Sequence, residues 1–288
     1  MLELYENMSS DAADLCALIL KASGIPFRVK KTGGGWSVWV APRDYLRARH
    51  AVEQYFRENR PADSGPDIPE PEQAHGYAGV WAAAFLAVCY GLVAQTASVQ
   101  SVWEDFGAAA WRIIDGELYR TVTALMLHAD TVHLLGNMAG MAIFATAVCH
   151  VAGWGTGMLM ILFAGSAGNL VNAFARQSGH LSIGASTAVF GAIGILSGYQ
   201  FFRKRNNPRR KAAAWLPLGC GLALLGFLGS GAHVDLTAHL FGFLVGIFTG
   251  IGYAMARKVI GPLGQGLCLG VVAAALAGSW AAGMWMHY

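Results

Sequence analysis

Two side chains that could act together as a nucleophile and a base lie in separate apolar stretches of this sequence. Ser186 lies within SIGASTAVFGAIGILSG (182–198), and His239 lies within VDLTAHLFGFLVG (234–246). A free serine hydroxyl is a weak nucleophile, but a neutral imidazole within hydrogen-bonding reach can take its proton during attack. Asp235, at the edge of its stretch, is the only acidic residue in the two segments. The pair is therefore predicted to work as a dyad.

The imidazole of such a dyad is held by packing when no carboxylate orients it. Phe190 is four residues after Ser186 and therefore on the same face of a helix, where it can pack on the His239 ring. Both dyad residues also have plain structural interpretations. A serine in a membrane helix commonly makes only an interhelical hydrogen bond, and a single histidine is often structural. The rest of the chain has to decide between these interpretations.

A second pair of polar side chains, His133 and Asn137, has the helical i, i+4 spacing and so faces one direction. Donors that are fixed in this way can stabilise the oxyanion that forms when a hydroxyl attacks a carbonyl. The alternative is that Asn137 only links two helices by a hydrogen bond. The sequence leaves both interpretations of this pair open.

The composition is that of a membrane protein with several spanning helices. Of the 288 residues, 55% are hydrophobic and only 13% are charged, whereas typical globular chains have about 25% charged residues. The apolar stretches are close to the ~20 residues that a helix needs to cross a bilayer. Seven spans are predicted, at residues 77–97, 131–151, 155–173, 183–202, 212–229, 235–256 and 264–286.

The basic residues of the loops are unevenly distributed, which predicts the orientation of the chain. Eight lie on one side of the predicted spans and three on the other. They are Arg203, Lys204, Arg205, Arg209, Arg210, Lys211, Arg257 and Lys258, against Arg112, Arg120 and Arg176. The positive-inside rule therefore predicts a cytoplasmic N-terminus and an external C-terminus. Because no organellar targeting segment is visible, the membrane is predicted to be a cell inner membrane.

This orientation brings the polar side chains to one depth. The spans that carry His133 with Asn137, Ser186 and His239 all enter from the outer side, about four or five residues before these groups, which places them roughly 6–8 Å below the outer mouth. Small residues at four-residue intervals permit the close helix approach that a Ser–His hydrogen bond requires. These are Gly194 and Gly198 on span four, and Ala238, Gly242, Gly246 and Gly250 on span six.

The first 60 residues differ in composition from the rest. Their pattern predicts a small cytoplasmic α+β domain of order β-α-β-β-α, with a hairpin about Gly33-Gly34-Gly35. No catalytic constellation occurs in this segment, and its partner is unknown. Residues 61–76 hold four prolines among acidic residues and are predicted to be a linker. The membrane domain is then 77–288.

Three ordered segments resemble the motifs of the rhomboid intramembrane serine proteases. They are GELYRTVTALMLHADTVHLLGN (116–137), GASTAVFG (184–191) and AHLFGFLVG (238–246). The resemblance covers about residues 106–250, half of the chain. It implies an all-α polytopic bundle of about seven transmembrane helices in the six-plus-one form. It also implies a serine endopeptidase that cleaves the transmembrane segments of single-span proteins within the lipid bilayer.

The resemblance also assigns roles to the polar side chains. It implies that Ser186 is the nucleophile and His239 the general base. It further implies that His133 and Asn137 help to hold the oxyanion, together with the backbone N–H of Ser186.

The chain departs from the family pattern at three positions. Thr187 follows the nucleophile, where the family often has glycine, and it is expected to narrow the space beside the serine. Phe190 stands where the family often has tyrosine. Tyr119-Arg120 matches a structural aromatic–arginine pair of the first outer loop, with tyrosine in place of tryptophan.

Two other functions fit part of the sequence. A membrane cytochrome could use His133 and His239 as axial haem ligands, but this leaves Ser186 and Asn137 unexplained. A catalytically inactive rhomboid-like protein could bind membrane helices, although this chain keeps both dyad residues. The sequence contains no HExxH or CxxC, so no metal or other cofactor is predicted. The basic run at 203–211 is explained as a cytoplasmic anchor, and nucleic-acid binding is not predicted.

Overall fold

The structure is a computed structural model that describes residues 1–59, 76–176, 179–205, 211–228, 235–256 and 261–287. The chain forms two compact units, Met1–Pro69 and Glu70–Tyr288. Two sequence predictions rest partly on residues outside the described ranges. These are the linker at 61–76, of which residues 61–75 lie outside those ranges, and the charge bias contributed by Arg209, Arg210, Arg257 and Lys258.

The first unit is a small α+β fold with the element order that its sequence predicts. Its elements are β1 (Leu2–Met8), α1 (Ser10–Ala22), β2 (Phe27–Thr32), β3 (Gly35–Val40) and α2 (Tyr45–Glu58). The sheet is antiparallel with the order β1-β3-β2, and Thr32 pairs with Gly35 across the predicted hairpin turn. The core between sheet and helices is apolar, and burial there raises the pKa of Cys16 to about 11.

The second unit is almost entirely helical. Its first part contains α3 (Ala78–Ala94), α4 (Val99–Phe106), β4 (Ala108–Ala109), α5 (Ala110–Ile114), α6 (Arg120–Thr123), α7 (Thr131–Gly140) and α8 (Thr146–Ala152). Its second part contains α9 (Trp154–Arg176), β5 (Leu181–Ser182), α10 (Ser186–Lys204), α11 (Lys211–Leu228), α12 (Leu236–Ala256) and α13 (Pro262–His287). A π-helical turn, Met141–Ala145, joins α7 and α8 into one continuous helical stretch.

Each of the seven predicted spans contains a helix near the predicted position. Four described stretches are long and apolar enough to cross a membrane by length and composition, namely Thr131–Ala152, Trp154–Arg176, Leu236–Ala256 and Pro262–His287. Shorter apolar helices lie at Ala78–Ala94 and Ala214–Gly226. The chain is therefore a polytopic helical membrane protein with a small α+β unit at its N-terminal end.

Helix α10 begins three residues later than the predicted span at 183–202. Gly184 has a φ of +128°, a conformation that L side chains rarely adopt, so the helix cannot start before it. Just upstream, Ser182 pairs with Ala108 in a short antiparallel ladder. From Thr187 to Ile195 every residue of α10 is buried, which explains why this helix consists largely of small residues.

Helices α10 and α12 touch backbone to backbone, as the four-residue spacing of their small residues predicts. A methyl group added to a glycine on either helix would overlap a backbone carbonyl oxygen of the other helix. This holds for Gly194, Gly198, Gly242, Gly246 and Gly250. At these five positions backbone meets backbone, so these glycines fix the distance between residues at matching depths.

Helix α13 is attached to the turn between α8 and α9 by one buried amide side chain. Gln265 Oε1 accepts hydrogen bonds from the backbone N–H groups of Gly155 and Thr156, both at 2.8 Å. Its Nε2 donates to the Ala152 carbonyl at 3.0 Å. The side chain of Gln265 therefore provides hydrogen-bond partners for a carbonyl at the end of α8 and for two N–H groups at the start of α9.

Candidate active site

The contact between Ser186 and His239 is the centre of the candidate site. Ser186 is the first residue of α10, and His239 lies in the first turn of α12. The hydroxyl oxygen of Ser186 is 2.6 Å from Nε2 of His239. In the neutral tautomer with the proton on Nδ1, Nε2 accepts this hydrogen bond, which is the arrangement that a general base needs. His239 is buried at 6% exposure, whereas Ser186 is only partly buried.

The ring of His239 is oriented by stacking. Phe190 lies against it with the ring centroids 4.7 Å apart and the planes at 24°. This is the packing that its i+4 position relative to Ser186 predicts. Within the described ranges, Nδ1 of His239 has no hydrogen-bond partner, whereas the nearby carboxylate of Asp235 is bound by His180 and Asn172. Packing, and not a third catalytic group, therefore orients the imidazole.

His133 and Asn137 lie beside the backbone that leads to Ser186. A Cβ built on Gly184 would be 2.7 Å from His133 Nε2 and 3.5 Å from Asn137 Nδ2. Asp130 caps α7 by accepting from the His133 N–H at 2.8 Å, which fixes the start of their helix. Asn137 is buried at 5% exposure, and among the described residues its Nδ2 has no partner. This amide donor is therefore not consumed by a helix-to-helix hydrogen bond.

His128 is a buried histidine at the site that sequence reasoning overlooked. It is 2% exposed, and its ring meets His133 edge-on with centroids 5.3 Å apart. Neither ring nitrogen has a partner in the part of the chain that the structure describes. The residue precedes the predicted span, and its depth could not be read from the apolar pattern. The signal in the sequence that could have identified His128 is its position five residues before His133.

Thr187 does not have the position that the sequence analysis expected. Its methyl group lies between α9 and α12, against Gly168 and Gly242. The residue is 2% exposed. Replacing it by glycine would leave a void between three helices, so Thr187 belongs to the helix packing around the dyad.

The segment from α4 to α6 is held by a buried arginine. Arg120 is fully buried, and its Nε forms an ion pair of 2.5 Å with Glu117. Its Nη1 donates to the carbonyls of Glu104 and Gly107 at 2.8 and 3.0 Å. A buried guanidinium is stable when its donors are satisfied in this way. The Tyr119-Arg120 pair is thus structural in this chain, as the resemblance implies.

The far end of α13 reaches the same cluster, which sequence reasoning did not foresee. Nε2 of His287 is 2.9 Å from the hydroxyl of Tyr119, and Nδ1 is 3.6 Å from the Asp105 carboxylate. Burial raises the pKa of Tyr119 to about 12. Burial also acts to raise the pKa of Glu117, but hydrogen bonds from Arg120 and Tyr119 outweigh it and hold that pKa below its ordinary value.

This is a polytopic helical membrane domain in which the first turns of two helices place a serine hydroxyl in contact with an imidazole. Comparison with known families identifies it further. The family profile described as Rhomboid domain matches residues 115–256, which contain every group assigned above to the pair, its stacking partner and the neighbouring donors. The membrane domain of this chain belongs to the rhomboid family.

Curated relatives agree with this assignment. The putative rhomboid protease YdcA of Bacillus subtilis is 28% identical over 134 residues, which cover 46% of this chain and 66% of the relative. RHOMBOID-like protein 6, mitochondrial, of Arabidopsis thaliana is 30% identical over 154 residues, half of each chain. The rhomboid protease GluP of B. subtilis is 29% identical over 178 residues, 60% of this chain and 33% of the relative. The matched region thus spans between a third and about two thirds of these relatives.

Proposed function

We propose that this chain is an intramembrane serine endopeptidase that cleaves transmembrane segments of membrane proteins with a Ser186–His239 dyad. The observation that carries the proposal is the 2.6 Å contact between the Ser186 hydroxyl and His239 Nε2. The family of the membrane domain supports it, since two of the relatives are named as proteases. The haem alternative is disfavoured because it gives no role to Ser186, which His239 Nε2 contacts.

The proposed reaction follows from this contact. As the Ser186 oxygen attacks the scissile carbonyl carbon, Nε2 of His239 takes the hydroxyl proton. The resulting imidazolium gives this proton to the leaving amine, and the peptide C–N bond breaks to leave an acyl ester on Ser186. A water molecule, deprotonated by the same imidazole, then attacks the ester and releases the acid and the free serine.

The oxyanion of this reaction has suitable donors nearby. Ser186 is the first residue of α10, and the first N–H groups of a helix have no intrahelical acceptor and lie at the positive end of its dipole. We assign the Ser186 N–H, Asn137 Nδ2 and His133 to hold the developing charge. Donors fixed before reaction are effective because they need no reorganisation.

Single substitutions of the two side-chain donors should give graded losses. Asn137→Ala and His133→Ala are each expected to lower kcat by up to about 10²–10³-fold, the scale for one oxyanion donor. Cleavage of a single-span reporter measures this, with Asn59→Ala in the first unit as the control. Ser186 should remain reactive toward small probes. Variants that lose thermal stability instead of turnover would assign the pair a structural role.

The substrates are proposed to be single-span membrane proteins in the lipid bilayer. A protease needs an extended backbone, whereas a helix in hydrocarbon keeps its N–H and C=O groups bonded internally. Cleavage is therefore expected near the outer end of the substrate helix, where small or helix-breaking residues let the helix unwind.

The orientation and compartment are also proposals. We infer a cytoplasmic N-terminus and an external C-terminus from the uneven distribution of basic residues, and we propose that the chain is a multi-pass protein of a cell inner membrane. The organisation into a cytoplasmic domain at 1–60, a linker at 61–76 and a membrane domain at 77–288 belongs to the same proposal. The sequence contains no signal for the partner of the first domain.

Reporter fusions test this topology. Fusions after Lys211 are expected to report the cytoplasm, while fusions after Ser178 and at Tyr288 are expected to report the outside. An in-frame fusion at residue 70 serves as the control for a cytoplasmic position. A cytoplasmic signal at Tyr288 would contradict the orientation, and with it the shared depth of the polar groups.

A covalent probe tests the function without knowledge of the substrate. The purified protein should react with a fluorophosphonate, because such probes label hydroxyls that are activated as nucleophiles. Ser186→Ala should not react, and it should no longer cleave a single-span reporter in vesicles. If the folded wild-type protein never labels and never cleaves, the proposed function is wrong and the chain is a catalytically inactive rhomboid-like protein.

A further inference from the structure

One largely buried carboxylate outside the dyad, that of Asp235, makes contacts with several elements. Its Oδ2 lies 2.6 Å from His180 Nε2 and accepts from Asn172 Nδ2 at 2.8 Å. The side chain of Asp235 is only 9% exposed, and that of His180 is 30% exposed. The neighbouring Arg176 adds a cation 3.7 Å from Oδ1. Helix α9 and the segment before β5 therefore both bind this carboxylate.

The other oxygen of Asp235 organises the start of α12. Oδ1 accepts from the backbone N–H of Ala238 at 3.0 Å and from the hydroxyl of Thr237 at 2.8 Å. This is the geometry of an N-cap, which satisfies a backbone donor that the first turn of a helix leaves free. The N–H of His239 in turn donates to the Asp235 carbonyl at 3.2 Å. The position of His239 along the helix axis is therefore set one turn earlier, at Asp235.

His180 lies at the start of the segment that leads to Ser186, as Asp235 lies at the start of the helix that carries His239. Its carbonyl accepts from the Ala110 N–H at 3.0 Å, and the two residues that follow it form β5. The chain then passes through Gly184, whose N–H donates to the Ala124 carbonyl at 2.9 Å, and reaches Ser186. The segment before Ser186 is thus fixed along its length by backbone bonds, and the ring of His180 connects its beginning to Asp235.

We propose that Asp235 is a positioning residue for the dyad. Through His180 it links the segment that ends at Ser186 to the helix that carries His239. The carboxylate does not act on the reacting atoms, because its partner is a different histidine. Its role is to hold the hydroxyl and the imidazole at their 2.6 Å separation. This inference rests on the proposed function and adds a residue that the dyad requires.

The experiment compares four variants with the wild-type protein. They are Asp235→Ala, His180→Ala, the double alanine variant and His180→Gln. Cleavage of a single-span reporter gives kcat and KM, measured well below the melting temperature of each variant. We expect kcat to fall about 10- to 100-fold in both alanine variants with KM unchanged, because a misplacement of about 1 Å is felt on this scale. The double variant should be no slower than Asp235→Ala, and His180→Gln, whose amide can still donate to the carboxylate, should recover most of the activity.

Two exposed residues of the same chemical types serve as matched controls. Asp115→Asn and His150→Gln change side chains that are exposed and lie outside the network, so both kinetic constants should stay at the wild-type values. Lower melting temperatures with an unchanged kcat in the Asp235 and His180 variants would overturn the proposal, since a purely structural residue affects folding only.

A readout that is independent of proteolysis separates this inference from the proposed function. The wild-type protein, the two single alanine variants and the double alanine variant give a thermodynamic cycle in melting temperature, and coupled residues are expected to be non-additive. If the wild-type protein is inactive while the cycle is non-additive, the proposed function fails and the link remains. Additive shifts would show that Asp235 and His180 do not act together, and the inference would fall.

Discussion

His239→Ala is expected to abolish the reaction of Ser186 with a fluorophosphonate probe. The imidazole is the group that contacts the hydroxyl, at 2.6 Å, and a general base contributes about 10²–10⁴-fold to such a reaction. The nearest carboxylate, that of Asp235, is already bound by His180 and Asn172 and cannot replace it. Labelling rates of purified wild-type and variant protein, compared by in-gel fluorescence, measure the effect.

The exposed His150 provides the control for removal of a histidine in the same domain, and His150→Ala should label at the wild-type rate. The His239 variant should also keep its cooperative thermal unfolding, since loss of the fold would explain loss of labelling equally well. Labelling that survives in folded His239→Ala protein would mean that the serine is reactive for another reason. The dyad mechanism would then be wrong.

The second large effect is expected at Gly246. A methyl group at this position would overlap the carbonyl oxygen of Gly191 on α10, and backbone atoms cannot move aside as a side chain does. Overpacking of a tight core costs about 1–3 kcal/mol. A separation of the two helices would also lengthen the contact between Ser186 and His239. Gly246→Ala is therefore expected to lower the melting temperature and to reduce probe labelling by about 10²-fold.

Gly252 offers a matched control on the same helix. A Cβ at Gly252 would meet nothing within 4 Å, and alanine is a better helix former than glycine by about 1 kcal/mol. Gly252→Ala is expected to melt at or above the wild-type temperature and to label normally. Equal behaviour of the two alanine variants would contradict a spacing of α10 and α12 set by glycine.

Local patterns in the sequence account for much of the fold and for the central contact. Apolar length places the seven helices, and the four-residue period of small residues predicts the contact of α10 with α12. The stacking of Phe190 on His239 follows from the i+4 position of Phe190 relative to Ser186. These features are readable because each depends on spacing within one segment, or on depth along the membrane normal.

Other features depend on contacts between distant segments, for which the sequence has no period. His180 and Asp235 are 55 residues apart, and nothing near either residue identifies the other as its partner. Thr187 shows a different limit, because the rotation of a helix about its axis decides whether a side chain faces the site or the neighbouring helices. The late start of α10 depends on the single backbone angle at Gly184, which hydropathy does not report.

Gln265 gives α13 a structural role that the apolar composition of this helix does not indicate. The first N–H groups of α9 find their acceptor on another helix, more than a hundred residues later in the same chain. The N-terminal cap of α9 is therefore a side chain of α13. A version of this protein without α13 would leave the N–H groups of Gly155 and Thr156 without this acceptor, and an unsatisfied donor that is shielded from water costs about 1–3 kcal/mol. The remaining six helices of such a truncated chain would therefore lack a stabilising contact that they have in the full chain. Deletion of α13 therefore measures the loss of a cap and the loss of a helix together, and replacement of Gln265 separates the two.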